Sequence, residues 1–241
     1  MDPAVRPWRH VLAALGVIGI SVALHEAAHA VTAARAGAKV KEVGIGFGPL
    51  LFRLRVRGLP LVVRMLPVGG YAAVDQDQLP PPRRIPMLLA GPLANITVGL
   101  PLMVAFRRYP VQMPSDGKRV GMAGFAGTLA ALIRAAAQGP GSIARLAGSL
   151  NVGLGLANLL PVYPLDGGHV VMSMMEMRGV PQETRHRFAR LTSVAFLLLA
   201  RAAMLGDLRR LSAGVETGKR GSAELRMQWF PRFPVSAFPS V

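Results

Sequence analysis

Residues 11–34 run for twenty-four positions without a proline, rich in Ala, Leu, Val and Ile, with ionisable side chains only at His25, Glu26 and His29. As one helix this segment is roughly 36 Å long at 1.5 Å per residue, enough to cross a bilayer. His25 and His29 then stand at i and i+4 on one face, the separation at which two imidazoles share one metal ion. Glu26 is placed to reach a water activated by that metal rather than the metal itself, and so to act as general base. The pattern reads HExxH. A buried structural histidine pair is the competing account, but three ionisable groups in a membrane-length segment are costly, and such groups usually mark function.

The rest of the chain fits that setting. It is 51% hydrophobic and only 17% charged, with a mean hydropathy of +0.39, which suits several bilayer-spanning helices rather than a soluble domain. There is no cysteine, so thiolate ligands and disulfides are excluded and a zinc site must use His and carboxylate. The formal charge of +16 gathers at the ends of apolar segments and in loops, where Arg side chains snorkel to anionic headgroups. No stacking aromatics accompany the basic residues, which speaks against nucleic acid as a partner. The basic stretch 1–9 imitates a signal peptide, yet cleavage near Ala23 or Ala30 would cut beside or through the motif, so an uncleaved first helix ending at Gly37 is expected.

The sequence reads as an α-helical polytopic membrane protein with four transmembrane helices, at residues 11–34, 85–106, 143–160 and 188–205, the last interrupted by Arg190 and Arg201. After the first helix the apolar period changes. LLFRLRVR (50–57) alternates apolar and basic residues, residues 58–60 supply a turn, and LVVRML (61–66) resumes a strand, giving a β-hairpin over 44–71. Such a hairpin either lies on the headgroups or offers an unpaired edge to an extended peptide. Both accounts stand. The Pro-rich stretch 75–84 is loop, 107–119 is a charged connector, and 125–137 is a small-residue helix. Residues 1–211 form one membrane-embedded core, and 212–241 form a basic tail with scattered aromatics and prolines, expected to be partly disordered.

Two histidines leave a zinc site unfinished. His10 is at the far end of the first helix, His186 is in a basic loop, and Asp75 and Asp77 are in a solvated one. NLLPVYPLDGGH (158–169) follows the third helix, and its Pro161, Pro164, Gly167 and Gly168 break the helix at membrane depth, where only a cavity wall tolerates free backbone. Asp166 within it is the best remaining oxygen ligand, with His169 as its competitor. Asn95, in GPLAN of the second helix, needs a partner from a neighbouring helix or a substrate backbone.

HEAAH, GIGFGP (44–49), PVGGY (67–71), GPLAN (91–95), NLLPVYPLDGGH (158–169) and GDLRRL (206–211) occur in an order and spacing that resemble the site-2 proteases, the intramembrane zinc metalloproteases of regulated intramembrane proteolysis. The resemblance extends over residues 12–211. It implies one zinc ion held by His25, His29 and Asp166, Glu26 as general base, and Asn158 and Asn95 as residues that bind substrate backbone or the oxyanion. It also implies that the hairpin holds substrate as an added strand, that substrates are single-span membrane proteins or signal-peptide-like segments, and that the protein is integral to a bacterial cell membrane. Nine Lys and Arg between residues 35 and 84 favour a cytoplasmic side for the active site. Many bacterial members carry PDZ domains between the second and third core helices, whereas only residues 107–124 stand there in this chain, so substrate choice is expected to rest on the core, the hairpin or an accessory protein. A non-proteolytic zinc-binding scaffold is the alternative, and the presence of both Glu26 and Asp166 counts against it.

Overall fold

A computed structural model of the protein describes residues 8–56, 58–75, 78–111 and 125–229. Most of the connector at 107–124 lies outside them. The element order is α1 (Trp8–Arg35), β1 (Val40–Val56), β2 (Leu59–Val74), α2 (Pro81–Ala105), α3 (Phe125–Gln138), α4 (Pro140–Asn158), α5 (Asp166–Met177) and α6 (Gln182–Trp229).

Among the described residues three helical stretches are long and apolar enough to cross a membrane, Trp8–Arg35, Pro81–Ala105 and Gln182–Gly206, against the four expected. A helix does stand at the expected third position, but the Gly, Ser, Asn and Arg content of α4 keeps it outside that group. The expected tail also differs. Residues 182–229 contain no proline, so α6 continues through 212 as far as Trp229, where partial disorder was expected. Residues 230–241 lie outside the description. Inside α2, Pro86, Pro92 and Pro101 are accommodated without ending the helix.

The residues that bury α1 divide it into two halves. Toward its start, Ala14 and Ile18 pack with Leu132, Ala135 and Leu146 of α3 and α4. Toward its end, Ala33 packs with Ala38, Leu79, Met87 and Leu88. HExxH lies between the two clusters. Against α1, α2 runs beside α4 with almost no side chain between the backbones, because glycine faces glycine. A Cβ on Gly99 would lie 2.7 Å from the Gly148 carbonyl oxygen, and one on Gly148 would lie 2.7 Å from the Met103 nitrogen. This close approach is how helices associate where lipid offers no hydrophobic drive.

β1 and β2 form one antiparallel sheet, more elaborate than the simple hairpin over 44–71. Val43, Gly44 and Ile45 are paired with Ala72, Tyr71 and Gly70 on one side and with Leu61, Val62 and Val63 on the other, while Phe52 to Val56 pair with Val63 to Leu59. Register shifts between Val43 and Phe52 produce this, and Gly46 permits it with a φ of 82° and no side chain to meet the Leu66 carbonyl. Residues 70–74 are consequently paired along one side only. The far end of the sheet exposes Phe47, Leu50, Phe52, Leu54 and Val56 beside Arg53.

α5, which the sequence reading did not resolve beyond a broken segment, is anchored at both ends. At its start, Gly167 and Gly168 press against the backbone of residues 159–163, where the Tyr163 N–H donates to the Thr192 hydroxyl of α6 at 3.1 Å. At its end, Glu176 accepts from Arg84 of α2 at 2.9 Å and pairs with Arg185 of α6 at 3.1 Å. Gly99→Leu or Gly148→Leu should push α2 from α4 and destabilise the protein by about 1–3 kcal/mol, the usual range for overpacking. Thermal unfolding in detergent against wild type checks this, and an unchanged midpoint would refute the glycine contact.

Candidate metal centre and catalytic cavity

The i, i+4 spacing in α1 brings the two imidazoles edge to face, with ring centroids 4.7 Å apart. Their Nε2 atoms are 3.1 Å from each other, and Asp166 Oδ2 lies 3.0 Å from His25 Nε2 and 3.4 Å from His29 Nε2. Both imidazoles are buried, with the Asp166 carboxylate slightly more open. His29 Nδ1 donates to the Met87 carbonyl of α2 at 2.7 Å, which fixes the tautomer and leaves a lone pair on Nε2.

Three electron-pair donors therefore face one another inside the protein. Four ligands around zinc at 2.0–2.1 Å stand about 3.3 Å apart, close to the separations observed. The residues fit a divalent cation, and a His, His, carboxylate set without sulfur is one that zinc accepts.

Glycine makes the convergence possible. A Cβ on Gly91 would run into His29 Nε2 and lie 2.9 Å from His25 Cδ2, so α2 can pass the imidazoles only with glycine there. A Cβ on Gly70 would lie 2.7 Å from Val22 and 2.9 Å from Glu26 Cγ, so the strand crosses α1 directly over the motif. The Ala72 backbone N–H interacts with the Glu26 carboxylate. Glu26 stands beside the ligand set and outside it.

A cavity of about 250 Å³ opens on this group. The sheet edge forms one wall through Gly70, Tyr71 and Ala72, and Asn158, Pro164 and His169 form another. The Tyr71 hydroxyl donates to Glu42 at 2.5 Å, and the Asn158 amide donates to the Leu154 carbonyl at 2.9 Å, which orients it.

Of the residues expected from sequence, His25, Glu26, His29, Asp166 and Asn158 meet at the cavity. Asn95 is elsewhere: it is fully buried one turn beyond Gly91, off the cavity wall, and neither amide atom has a partner among the described residues. His169 lines the cavity without joining the ligand set. Asp75 pairs with Lys41 at 3.5 Å, and Asp77 lies outside the described residues. Gly91, Gly70 and the Met87 carbonyl were not expected. The first two stand in GPLAN and PVGGY, so the residues were visible while the distances were not.

Helices of membrane-crossing length around a buried His, His, Asp centre define the scaffold of a membrane-embedded metallohydrolase. The chain belongs to peptidase family M50, whose family model matches residues 13–200. Several curated relatives that match it carry the name zinc metalloprotease. Zinc metalloprotease Rip1 of Mycobacterium tuberculosis is 34% identical over 111 residues, covering 39% of this chain and 27% of that protein. The curated relatives it matches are longer proteins, of which the matched stretches span between 17% and 36%. The site-2 protease from Methanocaldococcus jannaschii superposes with a TM-score of 0.50 over 86% of this chain and 73% of that chain at 20% identity, a likeness of fold.

Gly91→Ala should displace the imidazoles and weaken zinc binding by about 10–100-fold, the range seen when the supports of metal ligands are disturbed. Metal analysis after gel filtration, with Glu26→Gln retaining a full equivalent as the control, tests this. Full zinc in Gly91→Ala would overturn it.

Proposed function

We propose that the protein is an intramembrane zinc metalloendopeptidase that cleaves a peptide bond in or near the transmembrane segments of single-span or signal-peptide-like substrates. The observation that carries this is the meeting of His25, His29 and Asp166 with Glu26 and the singly paired residues 70–74 in one cavity. His25, His29 and Asp166 hold the metal. When bound, zinc supplies Lewis acidity to the scissile carbonyl and acidity to water at neutral pH.

The chain's own residues do the rest. Glu26 takes the proton of the attacking water and returns it to the leaving amine. A transmembrane helix keeps its carbonyls in i to i−4 bonds, so a substrate must unwind before it can react. Residues 70–74 then accept the unwound stretch as an added strand, with main-chain bonds replacing those lost. Asn158, oriented by its own helix, offers its remaining amide groups to that backbone. Asn95 is too deeply enclosed for this role without a rearrangement of α2.

Lys and Arg density between residues 35 and 84 favours a cytoplasmic active site in a cell membrane. An accessory protein is the partner we expect where relatives use PDZ domains. Detergent-purified protein is expected to cut a subset of single-span test substrates, and Glu26→Gln to lower the rate by about 10²–10⁴-fold with zinc retained. A chelator should abolish cleavage and added zinc restore it. Glycine or proline near the cut site should raise the rate by loosening the substrate helix. Equal activity of wild type and Glu26→Gln in mass-spectrometric product analysis would overturn the assignment.

A further inference from the structure

His169 is a polar group of the cavity with no task in the mechanism above. It stands three residues after Asp166 in the first turns of α5, so the helix that delivers the third metal ligand presents an imidazole from the same face. Its ring packs on Tyr163, with centroids 4.6 Å apart and planes inclined by 45°. The backbone beneath is fixed, because a Cβ on Gly168 would lie 2.6 Å from the Val162 carbonyl carbon and 2.7 Å from Tyr163 Cα. The Ser173 hydroxyl donates to the His169 carbonyl at 3.0 Å.

Neither ring nitrogen has a hydrogen-bond partner among the described residues. Among the other polar side chains of the cavity, His29 donates to Met87 and Tyr71 to Glu42, while Asn158 gives one of its two amide hydrogens to Leu154. A neutral imidazole always carries one N–H, so His169 offers a donor to whatever enters the cavity. Beside the second Asn158 amide hydrogen, His169 supplies the free side-chain donor for the charge that develops in the reaction, since Glu26 and Asp166 are acceptors and His25 and His29 would turn lone pairs to a bound metal.

The geometry points to His169 as a further catalytic residue that donates a hydrogen bond to the scissile carbonyl oxygen as negative charge builds on it. This rests on the proteolytic function proposed above. No bond of His169 is made or broken; its proton stays on the ring while water adds and the amine leaves. Held by Tyr163 and Gly168, the donor needs little reorganisation at the moment of reaction, which is when such a group is worth most.

The test compares wild type, His169→Ala and His169→Gln, each purified with zinc. Its two readouts are steady-state cleavage of one test substrate and calorimetric affinity for a phosphinic pseudopeptide, whose charged tetrahedral group mimics the transition state without being cleaved. His169→Ala should lower kcat by about 10²-fold or more with little change in KM, and weaken the phosphinic ligand by about tenfold or more, with zinc content unchanged. His169→Gln, which keeps an N–H, should recover part of both. Unchanged kcat and unchanged phosphinic affinity would overturn the assignment. Loss of zinc in both variants would also overturn it, by making His169 a positioning residue for the metal. A wild type that binds zinc and the phosphinic ligand but cuts no substrate would sink the proteolytic function instead, and the binding comparison would still decide His169.

Discussion

The structure turns on the convergence of His25, His29 and Asp166, drawn from two helices, at one buried point. Two imidazole nitrogens and a carboxylate oxygen stand within 3.4 Å of one another there, with His25 Nε2 and Asp166 Oδ2 at hydrogen-bonding distance. Burial without compensation would be expensive for the carboxylate, and a divalent ion at the centre turns the same arrangement into the most stable local feature. Three elements must agree for this to form. α1 supplies the histidines, α5 supplies the carboxylate, and α2 fixes the His29 tautomer through the Met87 carbonyl. A metal site of this kind stabilises helix packing as much as it prepares chemistry.

Close approach of backbone is the means by which those elements agree. Gly91 lets α2 pass the imidazoles, Gly70 lets the strand cross Glu26, and Gly167 and Gly168 let α5 fold back on the loop that precedes it. At each place a methyl group would meet a ligand, the base or a carbonyl. The arginines tied to Glu176 hold the other end of α5 to α2 and α6, so the position of Asp166 is set by contacts along its whole helix.

How much of this can be read from the sequence follows from the range of the forces involved. His25, Glu26 and His29 are legible because the helical repeat alone brings i and i+4 together. Asp166 is legible because a carboxylate among prolines and glycines at membrane depth has few other uses. The fit of Asn95 to a substrate is not legible, since an amide near the motif in a helical projection faces either the cavity or the neighbouring helix, and only packing decides. The sheet is hidden for a similar reason: alternation predicts strands, but the double pairing of Val43 to Ile45 arises from register shifts that no local pattern encodes. The length of α6 was misjudged because charge and scattered aromatics were weighed over the absence of proline in 182–229.

The placement of the singly paired strand beside Glu26 would constrain substrate geometry under the proposed function. Residues 70–74 offer main-chain groups along one edge, while the Ala72 N–H is already directed at Glu26. Under the proposed function, a peptide laid along that edge would leave the Ala72 N–H to the carboxylate and pair through Gly70 and Val74, whose main-chain groups point the same way. Side chains on an extended peptide alternate, so the register that satisfies the edge also decides which carbonyl approaches the metal ligands. Selection among substrates would then depend, under the proposed function, on how readily a membrane helix surrenders several consecutive turns' hydrogen bonds to reach this edge. A sheet edge held against α1 by Gly70 would supply replacements for those bonds within the cavity that His25, Glu26, His29 and Asp166 line. On that proposal unwinding and positioning would be one event, and helix stability in the substrate would govern cleavage alongside side-chain identity.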